Sequence, residues 1–130
     1  MLATKAWVKD LINKTFKKAS KYNFSTEEQK IGTWTDGKPL YQKTIAFTSP
    51  STKNTSVTVS LSDLKIKAIT SIDGVLIASD NTFIPINMYC LPGDYTLCTV
   101  STTQIILYIP HSAYLNRPVY ATIQYTKTTD

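Results

Sequence analysis

The hydrophobic spacing of this 130-residue chain changes once along its length. In residues 3–21 the apolar positions recur every three or four residues, which is the spacing of one face of an α-helix. The positions on this face are Val8, Leu11, Ile12, Thr15, Phe16 and Ala19, with Trp7 beside them. The pattern predicts an N-terminal amphipathic α-helix that carries lysines on its remaining surface.

From residue 40 onward, apolar positions alternate with polar ones, which is the period of a half-buried β-strand. The clearest alternation lies near the C-terminus, at Val119, Ala121, Ile123 and Tyr125. Breaks rich in Ser, Thr, Asn, Gly and Pro separate the runs, and Asp73-Gly74 is expected to be one of these turns. Roughly seven or eight short strands of this kind predict a mainly β fold, an antiparallel β-sandwich or jelly-roll-like domain.

The segment between the two periodic regions is polar and contains a turn signal. Asp36-Gly37 is typical of a tight turn, because glycine adopts positive φ without a steric cost. The sequence therefore predicts three regions. They are an N-terminal helix for oligomerisation or attachment at 1–22, a connector at 23–39 and the β-sandwich domain at 40–130.

A single helix of about 18 residues is only marginally stable in water. Its apolar face therefore needs a partner, which is the chain's own domain, copies of the same chain or another protein. We expect copies of the chain to cover this face, with its large apolar side chains as the oligomer interface. These side chains are Trp7, Val8, Leu11, Ile12 and Phe16.

The net charge of +5 is confined to the N-terminal region. Residues 1–21 carry six lysines and one aspartate, whereas residues 22–130 carry eight basic and eight acidic side chains. Lysine without arginine contacts phosphate groups but reads bases poorly, so a nucleic-acid partner is disfavoured. No apolar run approaches the roughly 20 residues that span a bilayer, so membrane insertion is not expected.

The sequence contains few residues suited to catalysis. His111 is the only histidine, and no Gly-x-Ser-x-Gly nucleophile motif occurs. Most aspartates stand at predicted turns and both glutamates lie in the connector, so a facing pair of catalytic carboxylates is not expected. Cys90 and Cys98 are expected to be reduced thiols, which with one histidine do not form a usual zinc site. The sequence therefore predicts no enzyme, no metal site and no cofactor.

Two predicted loops, 87–96 and 110–118, combine tyrosine with polar side chains, a composition suited to carbohydrate or receptor contacts. Tyrosine in a β domain more often fills a core or an interface, so ligand binding is the second interpretation of these side chains. The candidate ligand-binding residues are Tyr89, Asp94, Tyr95, Tyr114, Asn116 and Arg117.

Three stretches are more specific than these patterns. Leu2–Ile12 (LATKAWVKDLI) resembles the helix opening of many tail-fibre and head-fibre proteins of tailed bacteriophages. Phe24–Ile45 resembles the start of a C-terminal module of phage virion proteins, with the pattern YSTEEQ-x-(I/V)-G-x-W-x-DGKP-(L/I)-Y, except that Phe24 replaces the usual tyrosine. That module closes with a strand similar to Val119–Asp130. These stretches cover roughly a third of the chain, and residues 113–118 depart from the usual pre-terminal segment.

The resemblance implies a structural protein of a phage particle, made in the bacterial host cytoplasm and located in the virion. It implies a homotrimeric fibre or knob attached to the head or tail. The N-terminal region would contact capsid or tail proteins, the β domain would contact host-surface glycans, and no catalytic residues are implied. Two other interpretations remain open: a free-standing glycan-binding β-sandwich module, and a small nucleic-acid-associated protein that uses the basic helix.

Overall fold

A computed structural model describes residues 24–130, which form nine β-strands and two short 3₁₀ turns. The strands are β1 (Gln29–Thr33), β2 (Pro39–Thr48), β3 (Thr55–Ser60), β4 (Ile66–Ile77), β5 (Phe83–Pro85), β6 (Met88–Leu91), β7 (Asp94–Val100), β8 (Gln104–Ile109) and β9 (Pro118–Lys127). The 3₁₀ turns cover Ser62–Leu64 and Ser112–Tyr114. The predicted helix, with the predicted interface residues Trp7, Val8, Leu11, Ile12 and Phe16, lies outside the described residues.

The nine strands of this described part belong to two sheets. The five-stranded sheet has the order β1-β2-β9-β4-β5, and the four-stranded sheet has the order β3-β8-β7-β6. Neighbouring strands are antiparallel in both sheets. The prediction of a mainly β, antiparallel fold is therefore confirmed for residues 24–130.

The two sheets share one hydrophobic core, to which β8 and β9 contribute most of the fully buried side chains. Alternate residues of β8 and β9 point inward, so the period-two pattern of the sequence becomes the buried face. The residues with no exposed surface in these two strands are Ile105, Leu107, Ile109, Val119, Ala121, Ile123 and Tyr125. Burying a large apolar side chain contributes about 1.5–3 kcal/mol, so this cluster is the main source of stability.

Strand β1 lies inside the segment that the sequence predicts to be a connector. It pairs with β2 through the predicted turn, where Gly37 has a φ of 80° and the Lys38 amide donates to Asp36 Oδ1 at 2.9 Å. The turn is confirmed, whereas the connector is in part an edge strand. Ile31 is the only apolar side chain of β1, so no alternation marks the strand, and backbone pairing with β2 holds it in place.

The prediction of a turn at Asp73-Gly74 is wrong. Strand β4 runs without interruption through both residues and pairs with β9 on either side of them. Gly74 is needed for a close approach, because a Cβ at this position would lie 2.3 Å from the backbone oxygen of Tyr120. Gly74 thus allows β4 and β9 to approach each other closely. Glycine within a strand often marks such a close backbone approach.

Both cysteines of the chain are free thiols in this structure, as the sequence predicts. Cys90 is exposed at the end of the β6–β7 hairpin, whereas Cys98 is buried on β7. Burial raises the pKa of the Cys98 thiol to about 11, because the thiolate loses its hydration in the core. Cys98 is therefore a small core side chain.

Candidate functional site

The structure divides the predicted ligand-binding residues among three places. Tyr89 and Tyr95 face each other across the β6–β7 hairpin with ring centroids 6.0 Å apart, so the predicted loop 87–96 is largely a hairpin. Tyr108 on β8 continues this row, with its ring 6.2 Å from that of Tyr95. The three tyrosines form a strip on the outer face of the four-stranded sheet, and sequence reasoning did not include Tyr108 in it.

Asp94 and Tyr114 form a structural pair that ties the two predicted loops together. The Tyr114 hydroxyl donates to Asp94 Oδ1 at 2.7 Å, and the tyrosine is buried. Burial, helped by the Asp94 carboxylate, raises the pKa of Tyr114 to about 12. His111 stacks on the same ring at 4.7 Å, and its Nδ1 accepts from the Ala113 amide. These polar atoms already have partners within the fold.

Asn116 and Arg117 lie away from the tyrosine strip. Arg117 Nε donates to the backbone oxygen of Ile77 at 2.7 Å, so its guanidinium joins the loop before β9 to the end of β4. Asn116 has a φ of 54°, and its backbone amide donates to the backbone oxygen of Pro50 at 3.0 Å. The six predicted residues therefore do not form one site.

A groove crosses the outer face of the five-stranded sheet, with a volume of about 490 Å³. Three rows of side chains cross β2, β9 and β4 there. They are Gln42, Gln124 and Ser71, then Thr44, Thr122 and Asp73, then Ala46, Tyr120 and Val75. None of these side chains was a predicted ligand-binding residue, because polar residues on the outer face of a strand are common and Asp73 was expected in a turn.

Hydrogen bonds between strands hold the polar rows of this groove in place. Gln124 Nε2 donates to Gln42 Oε1 at 2.9 Å, and the hydroxyls of Thr44 and Thr122 are 2.8 Å apart. Gln42 is only 6% exposed although it faces outward, so its amide belongs to the groove floor. Gln29, opposite Gln42 on β1, has a buried Oε1 without a partner among residues 24–130. The floor is thus an ordered layer of amides and hydroxyls.

Two aromatic side chains, Phe24 and Tyr120, line the groove. Phe24 is 74% exposed. It lies beside β2, because the backbone amide of Thr44 donates to the backbone oxygen of the next residue, Ser25, at 2.8 Å. Tyr120 is 44% exposed and separates the groove from a second depression of about 310 Å³, which Asn116 also lines. Asp73 is the single charged side chain among the described residues that line the main groove.

Residues 24–45 and 119–130 meet on this sheet. Glu28 accepts from the Tyr125 hydroxyl and from Lys127 Nζ, the latter at 2.7 Å. The ring of Tyr41 stacks on that of Tyr125 with centroids 6.0 Å apart. Burial and the Glu28 carboxylate hold the pKa of Tyr125 well above its ordinary value, so its hydroxyl stays a donor. Residues from both ends of the described chain therefore form one structural unit.

Replacing Glu28 with alanine is expected to lower the free energy of unfolding by about 2 kcal/mol, because the Tyr125 hydroxyl loses its charged acceptor inside the fold. Urea denaturation of both proteins measures this difference. Glu27→Ala is the matched control: Glu27 is exposed, so its loss should change stability by less than about 0.5 kcal/mol. Equal effects of the two substitutions would contradict the role of Glu28.

Metal and membrane features are absent from the part of the chain that the structure describes. Residues 24–130 contain no cluster of three or more His, Cys, Asp or Glu side chains that could hold a metal ion. Within the same residues, no helix has the length and apolar character needed to cross a bilayer.

Comparison with known proteins gives no relatives. The chain matches no protein-family model, and neither a curated protein nor a solved structure is similar to it. Functional conclusions therefore depend on the geometry above and on the sequence motifs.

Proposed function

We propose that the chain is a structural component of a tailed-phage particle, a homotrimeric fibre or knob attached to the head or tail. In this proposal residues 40–130 form an outward-facing β-sandwich, to which β1 adds an edge strand. The N-terminal segment joins the three copies and contacts capsid or tail proteins. The protein acts by assembly and attachment, without a catalytic step.

One observation carries this proposal: the phage-like motifs coincide with a unit of the fold. The stretch 24–45 supplies β1 and most of β2, the stretch 119–130 supplies most of β9, and these strands are neighbours in one sheet. Motif residues contact each other across the sheet, as Glu28 does with Tyr125 and Lys127. A likeness that arose by chance has no reason to select residues that pack together. The resemblance is therefore best explained as a shared structural module.

The direction of the chain supports the assignment of the N-terminal segment. Phe24, the first described residue, is exposed at the rim beside β2, and residues 1–23 precede it in the chain. Their sequence predicts a helix with one apolar face, and a helix of that length needs tertiary or quaternary contacts for stability. Three copies that bury this face together supply such contacts, and closed symmetric assemblies are the usual form of homo-oligomers.

Light scattering after gel filtration tests the assembly. The full chain is expected to have the mass of a trimer, and Leu11→Asp is expected to yield monomers whose β domain melts as in the original trimer. Asn13→Asp is the matched control, because it adds the same charge at a position that the helical period assigns to the polar side. A trimer that survives Leu11→Asp would show that this segment is not the interface.

The particle itself tests the location. Mass spectrometry of purified phage particles from a host that carries this gene is expected to detect the chain in a fixed ratio to the capsid protein. A chain that is a stable monomer and is absent from such particles would contradict the proposal. That result would favour the free-standing glycan-binding module instead.

A further inference from the structure

We propose that the groove on the five-stranded sheet binds a neutral oligosaccharide, with Tyr120 as the stacking platform and Asp73, Gln42 and Gln124 as its hydrogen-bonding groups. This inference goes beyond the proposed function and does not rest on it, since every residue that it uses lies within residues 24–130 of one chain. It also differs from the site that the sequence predicted, because none of the six predicted residues lines this groove.

The lining offers both donors and acceptors, which matches the hydroxyl groups of a sugar. Gln42 Oε1 accepts from Gln124 Nε2, which leaves the amide nitrogen of Gln42 as a donor and the amide oxygen of Gln124 as an acceptor. Asp73 Oδ1 accepts from the Gly74 amide, and its second oxygen has further acceptor capacity. Each sugar hydroxyl donates one hydrogen bond and accepts others, so a mixed lining of this kind satisfies it.

Tyr120 provides the apolar contact that sugar binding also needs. Its side chain is partly exposed between the main groove and the second depression, and no other aromatic ring of residues 24–130 stacks on it. The apolar face of a pyranose ring packs on such an aromatic surface, while the phenol oxygen remains free for a hydrogen bond. By contrast, the ring of Tyr95 already contacts those of Tyr89 and Tyr108, with centroids 6.0 and 6.2 Å away.

Charge and length define the class of sugar. Asp73, the one charged side chain among the described residues that line the groove, is negative, so it disfavours uronic acids, sialic acids and phosphate-bearing glycans. From Gln124 to Tyr120 the groove follows four residue steps along β9, about 13 Å of extended strand. This length exceeds one sugar ring. The occupant is therefore a neutral oligosaccharide rather than a monosaccharide or an acidic glycan.

A printed array tests the class of ligand with the full-length protein. The array carries neutral oligosaccharides of hexoses, deoxyhexoses and N-acetylhexosamines beside uronate-, sialate- and phosphate-containing ones. Binding is expected among the neutral probes alone. Absence of binding to every neutral probe would overturn the proposal, as would binding confined to the anionic probes.

Calorimetry with the strongest neutral probe then tests the site. Tyr120→Ala is expected to weaken binding by about tenfold and Asp73→Asn by about threefold, whereas Tyr89→Ala changes it by less than about twofold. Asp73→Asn keeps an acceptor for the Gly74 amide, removes the charge and replaces the second acceptor oxygen with an NH2 donor. Tyr89 is the matched control, an exposed tyrosine on the other sheet. Loss of binding in Tyr89→Ala together with unchanged binding in Tyr120→Ala would overturn the assignment.

Nuclear magnetic resonance locates the bound sugar on the unaltered protein, so the result does not depend on how well a variant folds. Titrating the labelled, unaltered protein with the same probe is expected to shift the backbone amide signals of Gln42, Thr122 and Gln124. Signals of the tyrosine strip should stay in place. Shifts confined to Tyr89, Tyr95 and Leu97 would locate the ligand on the four-stranded sheet and contradict the groove.

Discussion

Replacing Gly74 with alanine is expected to lower the free energy of unfolding by about 3 kcal/mol, the upper part of the range for overpacking a close-packed site. The new Cβ would lie 2.3 Å from the Tyr120 oxygen and 2.9 Å from Ala121 Cα. Both neighbours are backbone atoms, so no side chain can rotate away to make room. Strands β4 and β9 must therefore separate locally, at the cost of pairing and core contacts.

Thermal and urea denaturation measure this loss, and Gly32→Ala is its control. Gly32 lies on the edge strand β1, where an added Cβ would meet no atom within 4 Å. Its replacement should change stability by less than about 0.5 kcal/mol, as is usual for open surface positions. If Gly74→Ala were as stable as Gly32→Ala, the close approach of β4 to β9 would be incorrect.

Truncating Ile123 to alanine is expected to cost about 3 kcal/mol of stability. The side chain has no exposed surface and lies in the middle of β9, between β2 and β4. Removing its buried methyl and methylene groups leaves a cavity that the surrounding strands cannot close, and losses of about 2–5 kcal/mol are typical of such changes. In urea denaturation, we expect a lower midpoint concentration and an unchanged dependence of the unfolding free energy on urea concentration.

Ile106→Ala is the matched control for the truncation. Ile106 is an isoleucine at the centre of β8, but it belongs to the outer face of the four-stranded sheet and is only half-buried. Ile106→Ala should lower the free energy of unfolding by less than half as much as Ile123→Ala, because the Ile106 side chain is already partly in contact with solvent. Equal losses at both positions would mean that the inner and outer faces of the sheets have been exchanged.

Local patterns in the sequence were sufficient where one strand or one turn determines the outcome. The alternation at 119–125 correctly predicted which side chains of β9 are buried, because side chains of a strand point alternately to its two faces. The Asp36-Gly37 turn was also predicted correctly, since positive φ at Gly37 depends on its own steric freedom. Both features depend on nearest neighbours in the chain.

Patterns that depend on distant residues were misinterpreted. Asp73-Gly74 has the composition of a turn, but the backbone of Tyr120, which is 46 residues after Gly74, requires a glycine within a continuous strand. The edge strand β1 has too few apolar residues to be recognised and exists because β2 pairs with it. Local composition could not distinguish these roles, because the deciding atoms are far away in sequence.

The candidate groove also combines features set by local sequence with features set by distant residues. The sequence alone determined the strand face of these side chains. Tyr120, Thr122 and Gln124 alternate with apolar residues, and Gln42 lies on the face opposite Tyr41, Ile45 and Phe47, so all four face away from the core. Only the tertiary structure decided that β2, β9 and β4 are neighbours, which aligns these side chains across one sheet and encloses a groove. A strand's period specifies the face of each side chain, whereas the strands beside it depend on how the whole core packs.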